Sequence, residues 1–211
     1  WATPQEAAFL RHVAEQYMLA QFEGRSDVRV KVQTGRLDPN RDYGGRCEGY
    51  LTAEIPDGEL KSNTTVKLTC SHPRHPFTIY MPVAVKLYRA ALVAAVGIPR
   101  GTVITDDMVN EVWLSDQVNQ SGSVSDRSML IGSKMKRDLK AGEQFRPSTF
   151  CLVCRGDPVT IDAHKGTLSL KTSGEALSDG NYADSVQVRN TKSRKTITAI
   201  VRGAGLVEVP L

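Results

Sequence analysis

Gly97-Ile-Pro-Arg-Gly-Thr-Val-Ile-Thr-Asp-Asp-Met-Val109 and Arg137-Asp-Leu-Lys-Ala-Gly-Glu-Gln-Phe-Arg-Pro-Ser-Thr-Phe150 are one short design written twice. With Gly101 laid over Gly142, Ile98 meets Leu139, Ile104 meets Phe145 and Val109 meets Phe150. Each copy has an apolar residue three places before its glycine, another three places after it, and then a polar cluster. A glycine so placed suits a tight turn that needs positive φ. The clusters Thr105-Asp106-Asp107 and Arg146-Pro147-Ser148 suit the opening of a short helical turn. Two related halves between Ala90 and Phe150 therefore predict a small, pseudo-symmetric β unit.

The residues after this unit read as purely β. Val159-Thr-Ile161, Leu168-Ser-Leu170, Val186-Gln-Val188, Thr196–Val201 and Leu206–Val209 are short strands parted by Gly, Asp and Asn turns, a spacing that predicts a small barrel or sandwich. The residues before it read as α+β. Thr3-Pro-Gln-Glu6 combines an N-cap, a proline at the first helical position and a capping-box glutamate. Leu10, Val13, Ala14, Tyr17 and Met18 then recur at helical spacing, which predicts a helix from Pro4 to about Phe22 with Gly24 as its stop. Strict alternation predicts strands over Asp27–Gln33, Gly49–Ile55, Val66–Cys70 and Phe77–Leu87, with a loop at Thr34–Arg46 and a turn at Pro56-Asp-Gly58. A helix with antiparallel strands buries its apolar face on one side of the sheet.

Taken together, the expectation is a mostly β, α+β chain of three modules. They are an N-terminal α+β domain over residues 1–87, the duplicated unit over 88–150 and an all-β domain over 151–211.

The duplicated phrases, Val96-Gly-Ile-Pro-Arg-Gly-Thr and Arg137-Asp-Leu-Lys-Ala-Gly-Glu with their polar followers, resemble the SAF domain. That is a β-clip fold of sialic acid synthases, antifreeze proteins and flagellar assembly proteins. The tail narrows the resemblance. Leu177-Ser-Asp-Gly180, Asp184-Ser-Val-Gln-Val-Arg-Asn190, Ser193 and Val201-Arg-Gly-Ala-Gly-Leu-Val-Glu-Val209 look like the C-terminal signature of the flagellar basal-body P-ring formation protein family. The resemblance implies a non-enzymatic periplasmic chaperone that assists assembly of the P-ring around the rod by transient binding of the flagellar P-ring subunit protein. The alternative it leaves is a SAF module of the cell envelope that binds peptidoglycan or another carbohydrate.

Composition bounds the partners. The 211 residues carry a formal charge of +4, with the cations spread along the chain. That distribution argues against a nucleic-acid footprint. No apolar run approaches the roughly 20 residues that span a bilayer. The chain opens on Trp1 rather than Met, the start that removal of a signal peptide leaves, and a trimmed chain has the same start.

The four cysteines, Cys47, Cys70, Cys151 and Cys154, are an even set that suits disulfides in an oxidising compartment. Sequence alone leaves three connectivities open. Keeping each pair inside one domain favours Cys47–Cys70 and Cys151–Cys154. A redox reading of Cys151-Leu-Val-Cys154 needs a helix N-terminus, whereas the following Arg-Gly-Asp-Pro-Val-Thr reads as a turn into a strand. A metal reading of Cys47, Cys70, His72 and His75 lacks the paired spacing of zinc modules.

Nothing in the chain has the pattern of a nucleophile triad, phosphate loop or dinucleotide phrase, so no catalytic residue, metal or cofactor is expected. Asp106-Asp107 reads as caps and solvated charge. Arg189-Asn-Thr-Lys-Ser-Arg-Lys195, the densest basic run, lacks the interleaved aromatics of a nucleic-acid platform and reads as a solvated hairpin tip, with an acidic partner surface or peptidoglycan as its alternative roles. The candidate protein-binding residues are Val112, Trp113 and Leu114, which precede the polar loop Ser115–Arg127. A tryptophan beside such a loop serves as an amphipathic anchor, or else as packing for the SAF core or a domain junction.

Overall fold

The computed structural model describes residues 4–38, 40–41, 43, 47–119 and 122–210. The expected N-cap Thr3, Leu211 and parts of the 34–46 and 115–127 loops lie outside the described residues. The chain divides into two compact units, residues 1–89 and 90–211.

In the first unit, helix α1 (Pro4–Ala20) passes through hydrogen-bonded turns to Gly24, whose φ of 80° ends it. Leu10, Ala14, Met18 and Phe22 recur every four residues along it and are buried, so one stripe faces the core. The strands are β1 (Arg29–Thr34), β2 (Leu51–Glu54), β3 (Asn63–Cys70) and β4 (Phe77–Ala94), in antiparallel order β1-β4-β3-β2. Val66 and Leu68 of β3 with Met81, Val83 and Val85 of β4 meet the helix stripe in one buried cluster. The opposite face carries Thr52, Lys67 and Tyr80. A disulfide joins Cys47 to Cys70, so the two sulfurs a metal reading requires are bonded to each other. In the chain-entropy account, closing that loop stabilises the fold by about 3 kcal/mol.

β4 runs past the expected end at Leu87, and its last residues belong to the second unit. Ala91, Leu92, Val93 and Ala94 are all buried. A strand covered on both faces loses its alternation and reads as a plain apolar run. β5 (Val109–Ser115) pairs with β4, and β6 (Lys134–Met135) pairs with β7 (Phe150–Cys151). Short 3-10 turns at Asp106–Met108 and Pro147–Thr149 precede β5 and β7.

The two copies are related in space as they are in sequence. Gly101 and Gly142 have φ of 83° and 82°. Ile98 and Leu139 are equivalent positions and bond to each other reciprocally, N–H to carbonyl, at 2.8 Å in both directions. A local two-fold axis therefore passes between them, as in an isologous contact. Around it the bonds come in pairs. Gly101 N–H donates to Met135 O and Gly142 N–H to Ala94 O, each at 2.8 Å. Ile104 N–H donates to Ser133 O at 2.8 Å and Phe145 N–H to Leu92 O at 2.9 Å. Ala95 N–H donates to Met108 O and Lys136 N–H to Thr149 O, each at 2.8 Å. Each copy thus supplies a strand to the other, and Ile98, Ile104, Leu139, Phe145 and Phe150 fill one core between them.

The rest of the second unit is a barrel of β8 (Pro158–Lys165), β9 (Leu168–Ala176), β10 (Ser185–Asn190), β11 (Thr196–Gly203) and β12 (Leu206–Pro210), so of the two expected forms it is the barrel. Antiparallel hairpins make most of it, and a parallel pairing of β12 with β8 closes it, Leu206 opposite Thr160 through Pro210 opposite His164. Closure leaves no free sheet edge. Val159, Ile161, Ala176, Val186, Val188, Ala199, Val201 and Val207 point inward as a separate core.

Candidate functional site

Val112, Trp113 and Leu114 occupy consecutive positions near the end of β5, and all three are half-buried. None of them is among the residues of the three buried clusters, within the described residues. Immediately after Leu114 the chain turns at Ser115, whose carbonyl accepts from Val118 N–H at 2.9 Å, and Val118 is left 60% exposed. Three half-buried apolar side chains therefore end the strand, and a fourth, exposed one follows inside the polar loop. Placement on a strand fixes the backbone, so these side chains present apolar area at little further ordering cost.

The same unit carries an apolar groove of about 230 Å³ lined by Val124, Met129, Phe150 and Tyr182. Asn181 donates its amide to Pro147 O at 2.9 Å, while its Oδ1 is buried with no hydrogen-bond partner among the described residues. The groove's carboxylate, Asp126, accepts from Ser128 N–H and hydroxyl, and those bonds hold it below the usual carboxylate range. A carboxylate spent on capping a turn is not poised for acid–base work. These walls come from three separate stretches, 123–129, 147–150 and 181–182, of which the duplicated phrase marks only the second.

Other residues singled out in the chain take structural partners. Asp106 pairs with Arg127 at 2.7 Å, and Asp107 accepts from the Thr105 hydroxyl. His72 Nδ1 accepts from the Arg74 and His75 N–H groups, and its ring stacks on His75 at 5.8 Å. Cys151 and Cys154 form a disulfide at the end of β7. Asp157 accepts from Cys154 N–H at 3.0 Å and pairs with Lys134 at 2.5 Å. Among the described residues no cluster of three or more His, Cys, Asp or Glu side chains has the arrangement to hold a metal ion. No described helix is long and apolar enough to cross a membrane.

Leu177-Ser-Asp-Gly180 is where the two cores of the second unit are tied together. Gly180 O accepts from Leu152 and Val153 N–H, each at 3.0 Å, and Gly180 N–H returns a bond to Val153 O at 2.8 Å. Asp179 accepts from Arg155 N–H and pairs with Lys136 Nζ, both at 2.8 Å. The backbone N–H first, then the ammonium, hold its carboxyl below the ordinary range.

With this geometry in place, the family comparisons are decisive. Residues 89–209 match the model of the family described as the chaperone for flagella basal body P-ring formation, and residues 10–87 match the model of the FlgA N-terminal domain. The chain belongs to the FlgA family. The flagellar protein FlgA of Agrobacterium fabrum is 30% identical over 122 residues, 56% of this chain and 75% of that protein. The crystal structure of Salmonella FlgA in open form shares the fold, with a TM-score of 0.50, 23% identity, and coverage of 97% of this chain and 93% of that one. The FlgA family is one of chaperones for P-ring formation, and that is the function of this chain. The boundary between the two family models falls at the division between the compact units, and the duplicated phrases and the Leu177–Gly180 clamp both lie in the chaperone portion.

Proposed function

We propose that this chain works in the periplasm by transient, non-covalent capture of P-ring subunits, without catalysis, and that Val112, Trp113 and Leu114 form part of the capturing surface. The observation that carries the reading is the half-buried tryptophan on β5, outside the buried clusters and five residues before the exposed Val118. Aromatic anchors of this kind dominate the energetics of protein interfaces. Two disulfides support an oxidising compartment.

The test is Trp113→Ala. The expected variant melts at nearly the wild-type temperature, binds purified P-ring subunit roughly thirty-fold more weakly, for about 2 kcal/mol, and supports less motility. A large fall in melting temperature, of the size that loss of about 3–5 kcal/mol gives for a core aromatic, would make Trp113 a packing residue. Normal stability with normal binding would remove it from the site.

A further inference from the structure

The tip between β10 and β11 is a built object. Asn190 Oδ1 accepts from Lys192 N–H at 2.9 Å and Ser193 N–H at 3.0 Å. Asn190 N–H donates to Lys195 O, and Arg194 N–H to Asn190 O, both at 2.9 Å. Arg194 sits at φ 62°, a left-handed conformation that few side chains other than glycine or asparagine favour. The turn is also moored sideways: Thr191 N–H and hydroxyl both reach Ser173 O of β9, at 3.1 and 2.9 Å. That mooring holds the turn carrying Arg189, Lys192, Arg194 and Lys195 against β9 at Ser173, and Lys171 lies two residues further along that strand.

None of these five cations has an ion-pair partner among the described residues. Asp162 lies opposite Lys171 in register, but its carboxylate is engaged by the Ser169 hydroxyl at 2.8 Å and by His164 at 3.3 Å. Glu175 lies opposite Arg189 without an ion pair. The remaining barrel acids are spent elsewhere: Asp157 on Lys134, Asp179 on Lys136, Asp184 on the Asn181 N–H and Glu208 on Arg202. Glu175 apart, the described barrel carboxylates are thus engaged away from the tip, whose five cations carry no ion pair among the described residues.

We infer that this tip, Arg189–Lys195 with Lys171, is a docking surface for an acidic face of a folded protein, the P-ring subunit on the reading above. The tip joins two strands of a closed barrel, so it offers no free edge for an added strand. Residues 189–196 contain no aromatic or aliphatic side chain to stack on a base or to enter a bilayer. What they present is a fixed set of point charges, which steers encounter and selects an oppositely charged partner.

The variant is Lys171→Glu/Lys192→Glu/Lys195→Glu, whose residues are exposed. The measurement is the association rate with purified P-ring subunit over a salt series. At low salt the variant is expected to associate about tenfold or more slowly, with the difference vanishing near 1 M salt, where the Debye length is about 3 Å. Lys61→Glu/Arg74→Glu/Lys86→Glu, the same charge change on exposed residues of the first unit, keeps the wild-type rate. A tip variant with lowered melting temperature is replaced by the three Gln substitutions. Unchanged association in a folded tip variant overturns the docking surface and leaves the capture reading standing. Slowing by both variants alike overturns it too, as an effect of net charge alone. Cation-dependent binding to phosphatidylglycerol vesicles with subunit association unchanged assigns the tip to lipid and overturns it. Failure of the wild type to bind subunit at any salt overturns the capture reading, and this inference with it.

Discussion

Gly101, Gly142 and Gly180 are three glycines held for two different reasons. At Gly101 and Gly142 an added Cβ meets nothing within 4 Å, yet φ is 83° and 82°. At Gly180 a Cβ would stand 2.4 Å from Val186 Cγ1 and 3.1 Å from Val201 Cγ2. Alanine at either of the first two is therefore expected to cost about 1–2 kcal/mol, through backbone strain alone. Alanine at Gly180 is expected to cost about 1–3 kcal/mol through overpacking. Urea denaturation separates them by rescue: Val186→Ala recovers part of the loss in Gly180→Ala, whereas no neighbouring truncation restores Gly101→Ala. The sequence pattern marks Gly101 and Gly142 because their turns repeat. Gly180 carries no such mark, since what crowds it arrives from β10 and β11.

Among elements, the hairpins and the helix are legible because their signals are local. Val66, Leu68 and Cys70 alternate on β3, and Leu10, Ala14 and Met18 keep helical spacing on α1. Three features are not legible. The tail of β4 bonds to the second copy, but Leu92 has Ser133 as its counterpart and Val93 has Lys134, and backbone bonds impose no likeness of side chains. Barrel closure depends on the parallel meeting of β12 with β8, far apart in the chain. At the candidate site, the sequence marks Trp113 by its rarity and the basic run by its density, but not the mooring of Thr191 on Ser173.

The Leu177–Gly180 connection has a consequence in acid. Asp179 has a depressed carboxyl in the folded chain, so the stability it lends is full above the unfolded value of about 3.9. It is lost as pH falls through that value toward the folded one. Asp179→Asn is expected to be less stable than wild type at neutral pH and to approach it as pH falls below 4, in urea titrations run from pH 7 to about 3.

For the whole molecule, the division after Arg89 has a sharp test. A fragment of residues 90–211 keeps Leu92 and Ala94, which receive the Phe145 and Gly142 N–H groups. A fragment of residues 96–211 keeps both written copies from Gly97 onward but loses that strand. The first is expected to fold, with dispersed amide resonances and a cooperative melt. The second is expected to aggregate or stay partly unfolded, because buried donors and the Phe145 pocket are left uncovered. Cooperative folding of both would mean that the tail of β4 is dispensable.

The reciprocal exchange of strands also orders events while the chain is being made. Leu92 closes on Phe145 and Gly101 on Met135, so neither copy completes its own sheet. A polypeptide delivered N-terminus first holds its earlier copy open until the later one has been extruded. For that interval Leu92, Ile98 and Ile104 are unshielded apolar surface, and the hazard of misassembly is set by the speed of delivery.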